Sequence, residues 1–397
     1  MLNKNINNFF LIFFSIIPIS IVAGPAVILI NISIIDIFFL CLIIAKKEYS
    51  FLKINVIKYL FIFYIYLIFN SFISIDQKIG FFRNFGFLRF IILFIAFNYF
   101  FQEKQFIKKV LITWTLILSL ILIDVFFESF IGINLAGFES PYRERIVSFF
   151  KDEPVVGGFI NSFYLLIIGF LFMNLKNKKI VVLFSIIFLF AIFITGERSN
   201  SIRALAGFLI FYSILKEFNL KVKIIAGISV ITLLAFMIVN SNYLKVRYGS
   251  QIKSHLSQDK IYFKLYRSGF EVFKNFKIFG VGNKNYRIET CKLDKKENYY
   301  CTTHPHQIYF EMLSEHGILG SILIFAVLYK IIFSKIVKTL RNNNYIMMGS
   351  LIYLMLIFLP LLPSGAFFND YMLTLFMINL SIFYSSSRAL NIFRKQE

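Results

Sequence analysis

The chain has 397 residues, 58% of them hydrophobic, with 53 Phe and only 16% charged side chains. A water-soluble fold of this size cannot bury so much apolar surface, because soluble domains average roughly 45–50% apolar, whereas lipid accepts it. The formal net charge is +21, but most Lys and Arg stand in short connectors between apolar runs, which points to membrane topology and away from nucleic acid.

Taken in chain order, the apolar runs read as spanning helices over 9–23, 26–45, 57–75, 80–101, 108–130, 155–174, 180–195, 199–215, 223–240, 307–332, 345–363 and 367–386. The first lacks a small-residue cleavage site and is followed directly by more spans, so it reads as a retained helix. Lys46, Lys47, Lys53 and Lys58 follow the second run; Lys104, Lys108 and Lys109 the fourth; Lys176, Lys178 and Lys179 the sixth. Lys216, Lys221 and Lys223 follow the eighth, Lys335, Lys338 and Arg341 the tenth, and Arg388, Arg394 and Lys395 the last. Every even-numbered span thus exits into a basic connector, and the positive-inside rule puts both termini in the cytoplasm. The expected fold is an all-α polytopic membrane protein of about twelve transmembrane helices. Residues 1–240 would hold spans one to nine, 241–306 a large periplasmic loop and 307–397 the last three spans, all in one membrane domain.

Two outer connectors exceed a turn. Residues 131–154 hold Arg143, Arg145, Asp152 and Glu153. Residues 241–306 are also basic, and loops beyond roughly 60 residues escape the charge rule, so their Lys and Arg need another reason. Within this loop, 261–276 (IYFKLYRSGFEVFKNF) has the pattern of an amphipathic helix that would lie at the membrane surface. The stretch 279–286 reads as a Gly/Asn turn. Cys41 falls inside a span and reads as a buried thiol. Cys291 and Cys301 lie ten positions apart in the outer loop, and in an oxidising compartment they are expected to form a disulfide. With His304 and His306 they imitate a zinc set, but the spacing matches no common zinc pattern, so no metal is expected.

The loop ends in THPHQIYFEMLSEHGILG, 303–320. His306 stands at the start of the tenth span, with Glu311, Glu315 and His316 inside it. Ionisable residues in a span are costly and mark function by default; on residue types alone, a capping His306 and a paired Glu315 fit equally well. TGERS, 195–199, falls in the short outer turn between spans seven and eight. Arg198 there either snorkels to the interface or serves a site, at a place where topology favours no positive charge.

His306-Gln307, nine residues, Gly317, two residues, Gly320 resembles the signature of the O-antigen ligase and O-antigen polymerase superfamily: His, then Asn, Ser or Gln, nine positions, then Gly-x-x-Gly. TGERS resembles that family's Thr-Gly-x-Arg-Ser, with Glu197 at its variable position. FGVGNKNYR, 279–287, with Cys291 and Cys301 is similar to the GvG…C…C stretch of a polymerase-like subgroup, and RIVSFFKDEPVVGG, 145–158, is similar to the family's segment before span six. The resemblance implies a glycosyltransferase that moves a glycan from undecaprenyl diphosphate to a sugar hydroxyl, on lipid A core or on another lipid-linked repeat unit, at the periplasmic face of the bacterial inner membrane. It implies His306 as catalytic base and Arg198 as a catalytic phosphate ligand. Arg267 or Arg287 would be the second loop arginine, and Arg145 and Glu153 would be further contacts to diphosphate or glycan, alongside Asp152. Arg83 and Arg89, in span four, would contact lipid phosphate or another helix. No cofactor is expected, since a diphosphate leaves readily without one; the partners are the lipid-linked donor, an acceptor glycolipid or glycan, and membrane lipids. A lipid-linked oligosaccharide flippase or other transporter is the competing class, but transporters favour short loops and repeated halves, whereas here the candidate residues cluster on one side near a long outer loop and no repeat is visible.

Overall fold

A computed structural model describes residues 4–142, 145–250, 261–340 and 343–394. Arg143, Arg341 and Lys395 lie outside the described residues, as do positions 251–260 of the long loop. The described chain is all-α, with a lone β-bridge between Ile133 and Glu139. The helices are α1 Lys4–Ser15, α2 Ile17–Ala23, α3 Pro25–Lys46, α4 Asn55–Phe72, α5 Gln77–Phe85, α6 Leu88–Phe100, α7 Lys104–Ile131, α8 Val156–Asn174 and α9 Lys178–Ile194. They continue as α10 Arg198–Ile214, α11 Leu220–Asn240, α12 Asn242–Lys245, α13 Ile261–Asn275, α14 Tyr286–Thr290, α15 Ile308–Ile331, α16 Ile336–Leu340, α17 Tyr345–Ile357 and α18 Asp370–Ser385.

Each apolar run read from the sequence contains helix, but the runs are not equal in length. Among the described residues, seven helical stretches are long and apolar enough to cross a membrane, or eight if α1 and α2, bent by 43°, count as one span. That is fewer than the count read from apolarity. The shortfall lies in α9 and α10 at 17 residues each, α18 at 16 and α17 at 13. At 1.5 Å per residue α17 is only about 20 Å long against a hydrocarbon core of about 30 Å. Pro360 and Pro363 follow its end, where a helix cannot easily continue.

The centre of the bundle is the pair α8 and α17. Gly169 of α8 faces the backbone of Tyr345, and Gly349 of α17 faces the backbone of Leu165, so closely that a Cβ at either position would overlap the carbonyl opposite. Small residues let membrane helices approach backbone to backbone, and dispersion then holds them. At the edge, α11 buries only Val230 and Leu234.

Two carboxylates near the end of α7 shape the connector that follows. Gly132 closes the helix in the left-handed region, φ 88°. Glu128 accepts from the amides of Val147 (3.0 Å) and Ser148 (2.6 Å), and Asp124 accepts from the Leu135 amide (2.6 Å) and the Ser148 hydroxyl. These acids serve the connector at Leu135, Val147 and Ser148. The expected loop helix forms as α13, with Leu265, Ser268, Gly269 and Val272 buried. That stripe recurs at i, i+3, i+4 and i+7 and packs on α15, while Phe263, Arg267, Phe270 and Lys274 are exposed.

Candidate functional site

The turn between α9 and α10 is built from Thr195, Gly196 and Glu197. Gly196 takes φ +73°, a conformation that suits glycine. Its carbonyl, exposed by the turn, accepts from Nε and Nη2 of Arg247 at 3.3 and 2.7 Å. Arg247 is buried and sits just after α12, where Val246–Ser250 widens into a π-helical turn. Tyr248 fastens the same turn, donating to the Phe193 carbonyl (3.0 Å) and sharing a hydrogen bond with the Ser201 hydroxyl (2.6 Å).

Glu197 also has a structural task. Its carboxylate accepts from the amides of Gly157 (2.6 Å) and Gly158 (3.0 Å) at the start of α8, and from the Asn200 side chain (2.7 Å). A carboxylate at a helix N-terminus satisfies amides that the helix itself cannot. Burial pushes this carboxyl above its ordinary range, while Asn200, the glycine amides and Arg145 pull the other way. The next residue, Arg198, is half-buried. Arg247 and Arg145 lie within its electrostatic reach, as do Tyr262 and Tyr248. Arg145, Arg198 and Arg247 thus share one electrostatic neighbourhood. Like charges gathered this way repel one another unless an anion joins them.

His306 reaches the same end of the bundle from the far side of the loop. Its backbone is left-handed, φ 55°, and its carbonyl accepts from the Ser364 amide at 2.9 Å. Gln307 is the N-cap of α15: its side-chain oxygen accepts from the amides of Tyr309 (2.8 Å) and Phe310 (3.1 Å). The position that varies among Asn, Ser and Gln in the resembling signature is thus a helix cap here, and capping is what short polar side chains with an acceptor oxygen do well. The His306 ring lies 6.4 Å, centroid to centroid, from the ring of Tyr262, and Tyr262 is also within electrostatic reach of Arg198. The His304 ring is 4.0 Å from that of His306. His304 is tied to the Thr303 hydroxyl (2.9 Å) and the Ser364 carbonyl (3.4 Å). Burial, then the neighbouring His306 and Lys284, lower the His304 pKa to about 3, and burial also lowers that of His306. Both imidazoles are therefore neutral near pH 7.

Behind His306, α15 is broken at Gly317, φ 63° and ψ −169°. The break frees two carbonyls and two amides, and the loop strand 277–282 takes all four. Val281 and Gly282 donate to Ser314 and Glu315 (2.9 Å each), and Ile318 and Leu319 donate to Lys277 (2.8 Å) and Ile278 (3.2 Å). A Cβ on Gly317 would overlap the Ile278 backbone, and one on Gly320 the Tyr66 hydroxyl. The Gly-x-x-Gly of α15 and the Gly-Val-Gly of the loop are two halves of one joint. Glu311 and Glu315, both buried, tie neighbouring turns to α15. Glu311 accepts from the Phe367 amide (2.8 Å) and Glu315 from that of Tyr286 (3.4 Å). Lys284 lies within electrostatic reach of both acids and of His304.

The remaining expected residues divide. Arg145 lines a cavity of 900 Å³ beside the arginine cluster, walled by Phe236, Met237 and Leu244. Glu153 is exposed and lines a different cavity together with Asp152. Arg267 on α13 and Arg287 on α14 are both exposed, and neither is among the groups acting on Arg198. The loop arginine beside Arg198 is Arg247, which the sequence reading missed; its nearness to the end of a span, in a Tyr-rich stretch, was the available signal. Arg203 spans α10 to the Leu356 and Pro363 carbonyls (3.2 Å each), and Arg83 (2.6 Å) and Arg89 both pair with Asp370. Cys291 and Cys301 are bonded, with Cα atoms 4.6 Å apart. Cys41, read as buried, is exposed on the bundle surface, where its helix meets lipid. Among the described residues, no three His, Cys, Asp or Glu side chains converge as a metal site would require.

Residues 180–325 match the family model described as O-antigen ligase. No curated protein matches the chain at a significant level. The matched stretch runs from α9 through the arginine turn and the loop to the broken helix, and over it the chain is similar to the O-antigen ligase family.

Proposed function

We propose that the protein is a glycosyltransferase of the periplasmic face of the bacterial inner membrane. It moves a glycan from undecaprenyl diphosphate to a sugar hydroxyl, on lipid A core or on a second lipid-linked unit. In this reading the apolar runs form twelve spans with both termini cytoplasmic. The observation that supports it most is that Arg145 and Arg247 lie within electrostatic reach of Arg198, as does Tyr262, whose ring neighbours that of His306. Breaking the sugar–phosphate bond leaves negative charge on the departing diphosphate. A guanidinium is always charged and its planar fork suits phosphate oxygens. Held in place before the reaction, one such donor contributes about 3–4 kcal/mol to the transition state. Arg198 and Arg247 take that role, with Arg145 at the mouth of the neighbouring cavity; Arg267 and Arg287, exposed, do not.

The acceptor hydroxyl is a poor nucleophile until it loses its proton. His306, kept neutral by burial, accepts that proton as the oxygen attacks the anomeric carbon. Attack opposite the leaving diphosphate inverts the anomeric centre. The diphosphate leaves well enough that the scheme requires no metal. Because the His306 pKa lies below the usual imidazole range, its basic form persists to lower pH than usual. Transfer should therefore hold to lower pH than an ordinary imidazole, with its pKa of about 6.5, would allow, and fall as acid protonates His306.

The test is glycan transfer by purified protein in proteoliposomes. Arg198→Ala, Arg247→Ala and His306→Ala are each expected to lower transfer by about 10²-fold or more at unchanged protein level. Full transfer by Arg198→Ala or His306→Ala would remove that residue from the mechanism. Movement of the lipid-linked glycan across the bilayer, with no transfer, would favour a transporter.

A further inference from the structure

A second cavity, of about 690 Å³, lies between the Gly24 corner of α2 and α3 and the start of α18. Its floor is hydrocarbon, including Ile19, Ile28, Ile117 and Leu120. Ile19 and Leu120 are 51% and 52% exposed, so the floor opens sideways, where a membrane protein meets lipid. Its rim is polar, with Phe150, Asp152, Glu153, Asp370 and Tyr371. Lys151 also borders it, with its ammonium over the Phe138 ring. The three rim acids are matched by Lys151 and by the two arginines on Asp370, so the rim is close to neutral overall. It therefore differs from the arginine cluster, and a diphosphate has nothing to gain at Asp152 and Glu153.

Hydrocarbon below and exposed carboxylates beside aromatic rings above suit one kind of ligand: a lipid chain whose hydroxyl-rich saccharide, rather than any phosphate it bears, meets Asp152 and Glu153. Carboxylates accept hydrogen bonds from paired sugar hydroxyls, and apolar sugar faces rest on rings such as Phe150. The cavity also borders the arginine site. Tyr371 donates to the Val155 carbonyl (3.0 Å), and two residues on, Gly157 and Gly158 donate to Glu197, the neighbour of Arg198. The segment 155–158 thus runs from this cavity to the carboxylate next to Arg198.

We propose that this cavity holds the acceptor glycolipid, its chain along the floor and its saccharide read by Asp152 and Glu153, while the donor diphosphate occupies the arginine side. The proposal rests on the transferase reading above. In proteoliposomes, Asp152→Asn/Glu153→Gln and, separately, Leu120→Trp, which fills the floor, should raise the KM for acceptor about tenfold and leave the donor KM unchanged. A raised donor KM, or an unchanged acceptor KM, overturns the proposal. A second measurement needs no turnover: wild-type protein is photolabelled with a glycolipid carrying a diazirine in its chain. Labelling around Leu120 should be competed by unlabelled glycolipid and not by phosphatidylethanolamine. Equal competition by the phospholipid makes the cavity an ordinary lipid seat and sinks the proposal. Absence of transfer by wild type, with selective labelling intact, counts against the transferase reading alone.

Discussion

Helices α8 and α11 are nearly the same length, 19 and 21 residues, and both are strongly apolar, yet 89% of the apolar stretch of α8 is buried and 11% of that of α11. In water two helices so apolar would both sit deep. In a bilayer, lipid tails compete equally for apolar surface, so apolarity decides only that a helix is in the membrane. Position inside the bundle follows from where backbones come close. Gly169 and Gly349 mark such a place on α8 and α17, and Gly227 on α11 meets nothing nearer than the Leu209 methyl at 3.4 Å.

An alanine series tests that lesson, because each glycine meets a different kind of obstacle. Gly317→Ala should cost most, about 3–5 kcal/mol: alanine is strained at this φ and ψ, and its Cβ meets the Ile278 backbone, which cannot turn aside. Gly169→Ala and Gly349→Ala come next, at about 1–3 kcal/mol each, because α8 and α17 must part to admit a methyl between backbones. Gly207→Ala should cost about 1 kcal/mol or less, since its Cβ meets side-chain methyls of Leu165 and Leu356 that can change rotamer. Gly227→Ala should stabilise by about 0.5–1 kcal/mol, the ordinary helix preference for alanine. Thermal unfolding of the purified protein in detergent ranks the five. A Gly227→Ala loss as large as that of Gly349→Ala would mean that α11 is packed after all, and the comparison would collapse.

The same distinction explains what could be read from the sequence. Helical runs were legible because lipid imposes length and apolarity on each. The shortness of α17 was not, because the Leu359–Leu362 region is apolar on both sides of Pro360 and the run looks continuous. His306 and Arg198 stood out through their neighbours in the chain. Arg247 did not, because its role depends on docking against the Gly196 carbonyl, a contact between residues 51 apart that no local pattern encodes. Lys284 and Glu197 escaped for a related reason: each acts on a turn far away in sequence, and Glu197 fell at a position that reads as variable. Arg267 attracted notice because the resembling family carries an arginine in the loop helix before the glycine turn. Leu265 and Val272 fix which face of that helix turns inward, and Arg267 falls on the other.

The seam between the loop strand 277–282 and the two halves of α15 sets a limit on how this protein can be taken apart. Severed from the bundle, residues 241–306 would carry a ragged edge: the amides of Val281 and Gly282 and the carbonyls of Lys277 and Ile278 would lose their mates. Gly280 and Gly282 would lose the mould against which they bend. A fragment made for immunisation or for solution studies would therefore present a shape that the intact protein never shows. Lengthening or shortening 277–282 by one residue would misalign every stitch at once, so this is where grafting between relatives should be least tolerated.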